Sequence, residues 1–165
     1  MKIYFILFFS IFLLSCASEK QQSFIDLCPE VLFSKGHRVY ITTEENSLSL
    51  NNISYRAEIN NYNFANGCLM LNNKITATLS ILFVVNPRKT QQADVIMPYY
   101  IALLDDQKNI LDIQYYTISG ILKKNIDESS YIETEITTTQ NISAGFKNKL
   151  LIGFMLNQEK LKILN

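Results

Sequence analysis

Between Lys74 and Val85 the chain reads KITATLSILFVV, with Ile75, Ala77, Leu79, Ile81, Phe83 and Val85 at every second position and Thr76, Thr78 and Ser80 between them. A period of two places one set on each face of a strand, so this segment predicts a strand with one wholly apolar face. From Leu82 and Val84 onward the second face turns apolar as well, which predicts a central strand whose far end is covered on both sides. Pro87 ends it, because proline supplies no N–H to a ladder. A strand of this kind must bury its apolar face against another layer, and that requirement organises the rest of the chain.

Other segments carry the same pattern. Val31–Phe33 is a short apolar run, Ser34-Lys35-Gly36 a turn, and His37–Thr43 a strand. Ile53–Asn61 alternates Ile53, Tyr55, Ala57 and Ile59 with Ser54, Arg56, Glu58 and Asn60, followed by a loop over Asn61–Gly67. Asn72-Asn73 predicts a tight hairpin turn, since asparagine tolerates positive φ. Pro98–Leu104 reads as a strand that Pro98 starts or confines to an edge, with Asp105–Asn109 as a hairpin connection and Ile110–Ser119 as the return. Ile121–Ile126 has some helical character. Tyr131–Thr138 is a strand with one side in water, Asn141–Gly145 a turn, and Lys149–Leu156 a final strand. Asn157 is placed to cap a short helix through Leu164, with Glu159 in its first turn. Seven or eight short strands with almost no helix predict an all-β, antiparallel β-sandwich of immunoglobulin- or fibronectin-like type with a short C-terminal helix. A small β-barrel is the alternative, which alternation alone does not separate.

The first residues have a different logic. Lys2 precedes an apolar run from Ile3 to Leu14, the length of a signal-peptide core and too short for the roughly 20 residues that span a bilayer. The run closes in Leu13-Leu14-Ser15-Cys16, which resembles the lipobox of bacterial lipoproteins. That resemblance implies cleavage before Cys16 and lipidation of Cys16 by a diacylglycerol thioether, with a further acyl chain on its amine. Residues 1–15 are then a lipoprotein signal peptide, 16–23 a lipidated tether, and 24–165 a single β-sandwich domain. Two or more acyl chains hold a protein on a membrane where one binds only marginally. Ala17-Ser18 lacks the aspartate that often marks inner-membrane retention in such lipoproteins, so the expected location is the periplasmic face of the outer membrane.

With Cys16 assigned to lipid, Cys28 and Cys68 remain. In an exported chain an even number favours a disulfide, and two buried free thiols are the other possibility. Lys+Arg and Asp+Glu are equal at 15 each, with no long run of one sign, which argues against nucleic acid as a partner.

Cys28-Pro29-Glu30-Val31, Ile53-Ser54-Tyr55-Arg56-Ala57-Glu58-Ile59, Cys68 before the long strand, Pro98-Tyr99-Tyr100-Ile101-Ala102 and Ile152-Gly153-Phe154-Met155-Leu156 occur in that order. Together they resemble a family of small, uncharacterised Gram-negative envelope lipoproteins. The resemblance implies a lipid anchor and an all-β domain, and it implies no reaction and no catalytic residues.

Catalytic parts are sparse. His37 is the only histidine, beside a turn at Ser34-Lys35-Gly36, and no G-x-S-x-G elbow occurs. Asp105-Asp106 is a turn composition, Glu44-Glu45 reads as a solvated loop, and the glycines are isolated, with no phosphate-binding loop. One histidine and no C-x-x-C give no metal site, and no cofactor is implied. Tyr99-Tyr100 and Tyr115-Tyr116 are adjacent pairs in strands, so one ring of each faces the core and the other faces out. Tyr100 and Tyr116 are the residues expected to line an interaction surface, although tyrosine is common in strands for packing alone. The function expected is that of a non-enzymatic, membrane-anchored accessory module with an envelope protein as partner; a carrier for an apolar ligand or lipid is the alternative.

Overall fold

The computed structural model describes residues 27–43, 49–88, 93–125 and 130–164. The expected signal sequence (1–15), Cys16 with the expected tether (16–23), Glu44-Glu45 and Ile126 lie outside the described residues. Among the described residues are eight strands: β1 (Glu30–Phe33), β2 (Val39–Thr43), β3 (Ile53–Leu71), β4 (Lys74–Pro87), β5 (Asp94–Leu104), β6 (Ile110–Ile121), β7 (Thr134–Gly145) and β8 (Lys149–Phe154). A turn of 3-10 helix, Leu50–Asn52, leads into β3, and a helix, α1 (Gln158–Leu164), follows β8.

The strands form two four-stranded sheets, ordered β1-β8-β5-β6 and β2-β3-β4-β7. Every pairing is antiparallel except β1 with β8, which is parallel. One of the two sheets curls into a half-barrel. The class is the all-β antiparallel sandwich expected from the alternation. Each sheet has four strands, and the long β3–β4 hairpin forms the middle of the second.

Both sheets feed one core. Ile75, Leu79, Ile81, Phe83 and Val85 of β4 are buried, as the period of two requires. Leu79, Ile81, Phe83 and Val85 share a cluster with Val95, Met97, Tyr99 and Ile101 from β5 and Leu150, Ile152 and Phe154 from β8. At the centre the Phe83 ring lies 5.4 Å from Tyr99, edge to face, and 5.5 Å from Phe154. Tyr99 stacks on Tyr116 at 5.3 Å, and its hydroxyl accepts a hydrogen bond from the Gln140 amide of the opposite sheet at 3.0 Å. Burial raises the Tyr99 phenol above its ordinary value, against the opposing effect of that bond. Leu82 and Val84 are only half-buried, so the predicted double cover is partial: their face is the outer side of the sheet.

Some expected boundaries move. Asn61–Gly67 is not a loop but part of β3, which continues against β4 by absorbing irregularities between Ile59 and Asn61 and between Ala65 and Cys68. Asn66 and Gly67 take positive φ (63° and 72°) at the second of these, the local twist that a bulge needs. Asn72 and Asn73 also have positive φ, 51° and 62°, as a primed turn requires. Likewise, Asn141–Gly145 is the end of β7, and the turn comes after it. Ile121 ends β6 instead of starting a helix, and Lys124 forms an isolated bridge to Tyr131.

Pro98 neither starts β5 nor lies on an edge strand; it sits in the middle of a strand flanked by β8 and β6. The ladder tolerates it because the Pro98 carbonyl accepts from Met155 N–H at 2.9 Å, just past the end of β8. The missing N–H therefore faces the side where β8 runs out.

Cys28 and Cys68 form a disulfide, with Cα atoms 5.2 Å apart and a sequence separation of 40. It fixes the start of β1 to the bulged part of β3, joining the two sheets covalently. At the other end, Asn157 caps α1 by accepting from Lys160 N–H at 2.9 Å, and the Lys160 ammonium stands 3.8 Å over the Tyr40 ring.

Candidate functional site

On β5 the odd-numbered residues Val95, Met97, Tyr99 and Ile101 face the core, which turns Tyr100 outward. Register then fixes its neighbours: Tyr100 lies opposite Tyr115 on β6 and Gly153 on β8, while Ala102 lies opposite Ile113 and Leu151. These residues share the outer face of the β1-β8-β5-β6 sheet. With Ile110, Met155, Leu156 and His37 they line an open groove of about 310 Å³. Tyr115 is 63% exposed and Met155 42%, so the floor and rim of the groove are apolar surface in contact with water.

The pairing corrects one expectation. Tyr116 faces inward, stacked on Tyr99, with burial and the Asp112 carboxylate raising its phenol above the ordinary value. Tyr100 and Tyr116 therefore do not share a surface; Tyr115 is the outward partner of Tyr100. The cause is a one-residue bulge. Leu104 pairs with Ile110 but Leu103 with Asp112, leaving Leu111 without an opposite residue. Without that extra residue the even-numbered members of both pairs would fall on the same face; with it, every later side chain of β6 is reversed relative to β5. Ile113 and Met155, which the sequence reading did not single out, enter the site for the same reason and through the proximity of β8.

His37 stands at the end of the groove, held by the backbone. Its carbonyl accepts from Phe154 N–H at 2.7 Å, and its Nδ1 donates to the Phe154 carbonyl at 3.0 Å, since a carbonyl can only accept. The ring meets Tyr100 edge to face at 6.1 Å. Gly153 lies beneath this pair, where a β-carbon would come within 2.8 Å of the Tyr100 ring and 3.0 Å of the His37 β-carbon. The tip of the tyrosine ring thus rests against a glycine, and a β-carbon there would displace it.

The remaining titratable candidates are engaged in turns. The Asp105 carboxylate accepts from the backbone N–H groups of Gln107 and Asn109, both at 2.8 Å, and from the Asn109 side chain at 2.9 Å. Those bonds, the Asn109 amide first, hold its carboxyl below the usual range. Asp106 is exposed in the same turn, and the Ser34 N–H donates to the Ile152 carbonyl at 2.8 Å. Among the described residues no three His, Cys, Asp or Glu side chains converge in a way that could hold a metal ion. What this arrangement offers chemically is an apolar, aromatic surface with a few polar atoms: the two phenol hydroxyls and the imidazole. Comparison with family models, curated proteins and solved structures gives no match for this chain.

Proposed function

We propose that this chain is a non-enzymatic bacterial lipoprotein, anchored through Cys16 to the periplasmic face of the outer membrane, and that it serves as an interaction module in the cell envelope. Two features support the reading. The Leu13-Leu14-Ser15-Cys16 motif after a short apolar run supplies the anchor. The outward Tyr100–Tyr115 pair over an exposed apolar groove supplies the surface, and this is the observation that carries the proposal. Tyrosine gives a large contact area at low entropic cost and a hydroxyl that stays satisfied at a wet rim, which is why it is enriched where proteins meet. The resemblance to small envelope lipoproteins points the same way.

The test has two arms. Labelled fatty acid should enter the wild-type chain and not Cys16→Ser, which should leave the membrane fraction; unchanged sedimentation with no label in either removes the anchor. In-cell crosslinking should capture an envelope protein that is lost on Tyr115→Ser and Tyr100→Ser; capture that is indifferent to both removes the surface.

A second reading rests on the same groove. Ala102, Ile113, Leu151, Met155 and Leu156 form a lining suited to an acyl or other apolar chain, beside the polar atoms of His37, Tyr100 and Tyr115. A carrier binding an apolar chain along this lining would release one lipid species on denaturation of the purified protein, and extracts with no enriched lipid would count against it.

A further inference from the structure

The end strands of the two sheets are not alike. β1 and β2 are short, at four and five residues, and β7 presents Glu135, Thr137, Thr139, Asn141 and Ser143 to water. Short or polar strands are the usual protection against unwanted pairing. β6 is different. It runs for twelve residues at the end of the β1-β8-β5-β6 order, so one of its edges has no strand partner among the described residues. It exposes Ile110, Leu111, Tyr115 and Ile121, and its sequence ILDIQYYTISGI contains one charge, Asp112. Such a strand carries unpaired N–H and C=O groups beside apolar side chains, which is the template for strand addition.

We propose that the free edge of β6 pairs antiparallel with β6 of a second copy, about a two-fold axis at Gln114, so that the sheets of the two copies join into one. The sequence of β6 is self-complementary in that register. Ile113 falls opposite Tyr115 of the second copy, and Tyr115 opposite its Ile113, two aromatic with β-branched pairs of the kind that stabilise sheets. On the inner face Gln114 meets Gln114, an amide pair in which each can donate and accept. Asp112 falls opposite Tyr116, so the only charge of the strand meets a hydroxyl and never its own copy. In the single chain Gln114 already donates to Asp112 at 3.3 Å and accepts from the Tyr116 hydroxyl, a polar ladder along the inner edge that the second copy extends. On the outer face the row Gly153, Tyr100, Tyr115 continues into Ile113 and Ala102 of the second copy, uniting the two apolar grooves. The pairing goes beyond the function proposed above and does not depend on the anchor, since it uses β6 alone.

The full-length chain carrying Gln114→Cys is treated in whole cells with a mild oxidant, run on a non-reducing gel, and the bridged peptide is identified by mass spectrometry. The expected result is a homodimer bridged through position 114, because residues directly opposite across a two-fold axis are about 5 Å apart at Cα. Thr117→Cys should give about tenfold less, since in this register its two copies are roughly 20 Å apart and a disulfide reaches only ~7 Å. Adding Ile113→Lys and Tyr115→Lys to Gln114→Cys sets like charges across the seam and should lower the dimer yield about tenfold. Protease resistance of each variant matched to the wild type shows that the domain is folded. No bridge at 114, equal yield at 117, or position 114 bridged to a different protein would each overturn the second copy as occupant.

Discussion

The Tyr55 hydroxyl donates to the Ile96 carbonyl at 3.0 Å and accepts from the Ile96 N–H at 3.2 Å, so that one side chain of β3 does for β5 what a neighbouring strand would do. The position explains the need. Ile96 is two residues before Pro98, where β8 has ended, and its part-buried backbone groups have no partner on β8. A phenol from the opposite sheet fills that gap and ties the layers together across the core. Tyr55→Phe keeps the ring and removes both bonds. It should destabilise the fold by about 1–3 kcal/mol, the cost of leaving buried polar groups unsatisfied, read as a lower urea midpoint with an unchanged slope.

The same hydroxyl makes stability depend on alkaline pH. Burial pushes the Tyr55 phenol up to about 12, against the lowering effect of its bond to Ile96 and with a small contribution from Tyr40. The unfolded chain loses this proton near the ordinary value of 10 while the folded chain keeps it, so the unfolded state binds fewer protons between these values. Stability from this group is therefore intact below pH 10 and falls as pH rises from 10 to 12. Tyr99 and Tyr116, also raised by burial, act in the same direction. Urea midpoints measured across this range should fall more steeply for the wild type than for Tyr55→Phe; parallel curves would contradict the role of Tyr55.

The Cys28–Cys68 bridge, at a sequence separation of 40, closes a loop that contains β1, β2 and the first bulged stretch of β3. On the chain-entropy model such a closure is worth about 4 kcal/mol, and removing native bridges from small exported domains costs about 2–5. Cys28→Ala with Cys68→Ala should lower stability by that amount. Because β1 is only four residues long and pairs with β8 alone, its amides should lose hydrogen-exchange protection before those of the β3–β4 hairpin. Uniform loss across both sheets would show that the bridge does not act locally on β1.

How much of this was legible in the sequence depended on which physical rule carried each element. The inward row of β4 and the Asn72-Asn73 turn followed from period and from asparagine's tolerance of positive φ, both local properties. The course of Asn61–Gly67 did not, because its polar composition suits a loop and only the pairing with β4 holds it as strand. The surface was half legible. Alternation gave one inward and one outward ring per tyrosine pair, but which rings meet was decided by Leu111, a single unpaired residue whose insertion reverses the face of everything after it on β6. Nothing in the local sequence around Leu111 marks it as a bulge. The shelf made by Gly153 beneath Tyr100 is likewise a contact between strands far apart in sequence.

That shelf leads to a prediction about the groove itself. A β-carbon on Gly153 would sit 2.7 Å from the Tyr100 hydroxyl, 2.8 Å from its ring and 3.0 Å from the His37 β-carbon, closer than such atoms approach. Gly153→Ala must therefore displace Tyr100, and His37 with it, at a cost of about 1–3 kcal/mol for an overpacked site. Most of the obstruction is one side chain, so Tyr100→Ala should relieve it. In a double-mutant cycle Gly153→Ala should cost less in the Tyr100→Ala background than in the wild type, giving a coupling of about 0.5–3 kcal/mol. The loop from Ser34 to His37 supplies the residual clash, and its hold on the Phe154 backbone limits how far it can retreat. Additive effects would mean that Tyr100 does not rest on Gly153, and the aromatic floor of the groove would then need another cause.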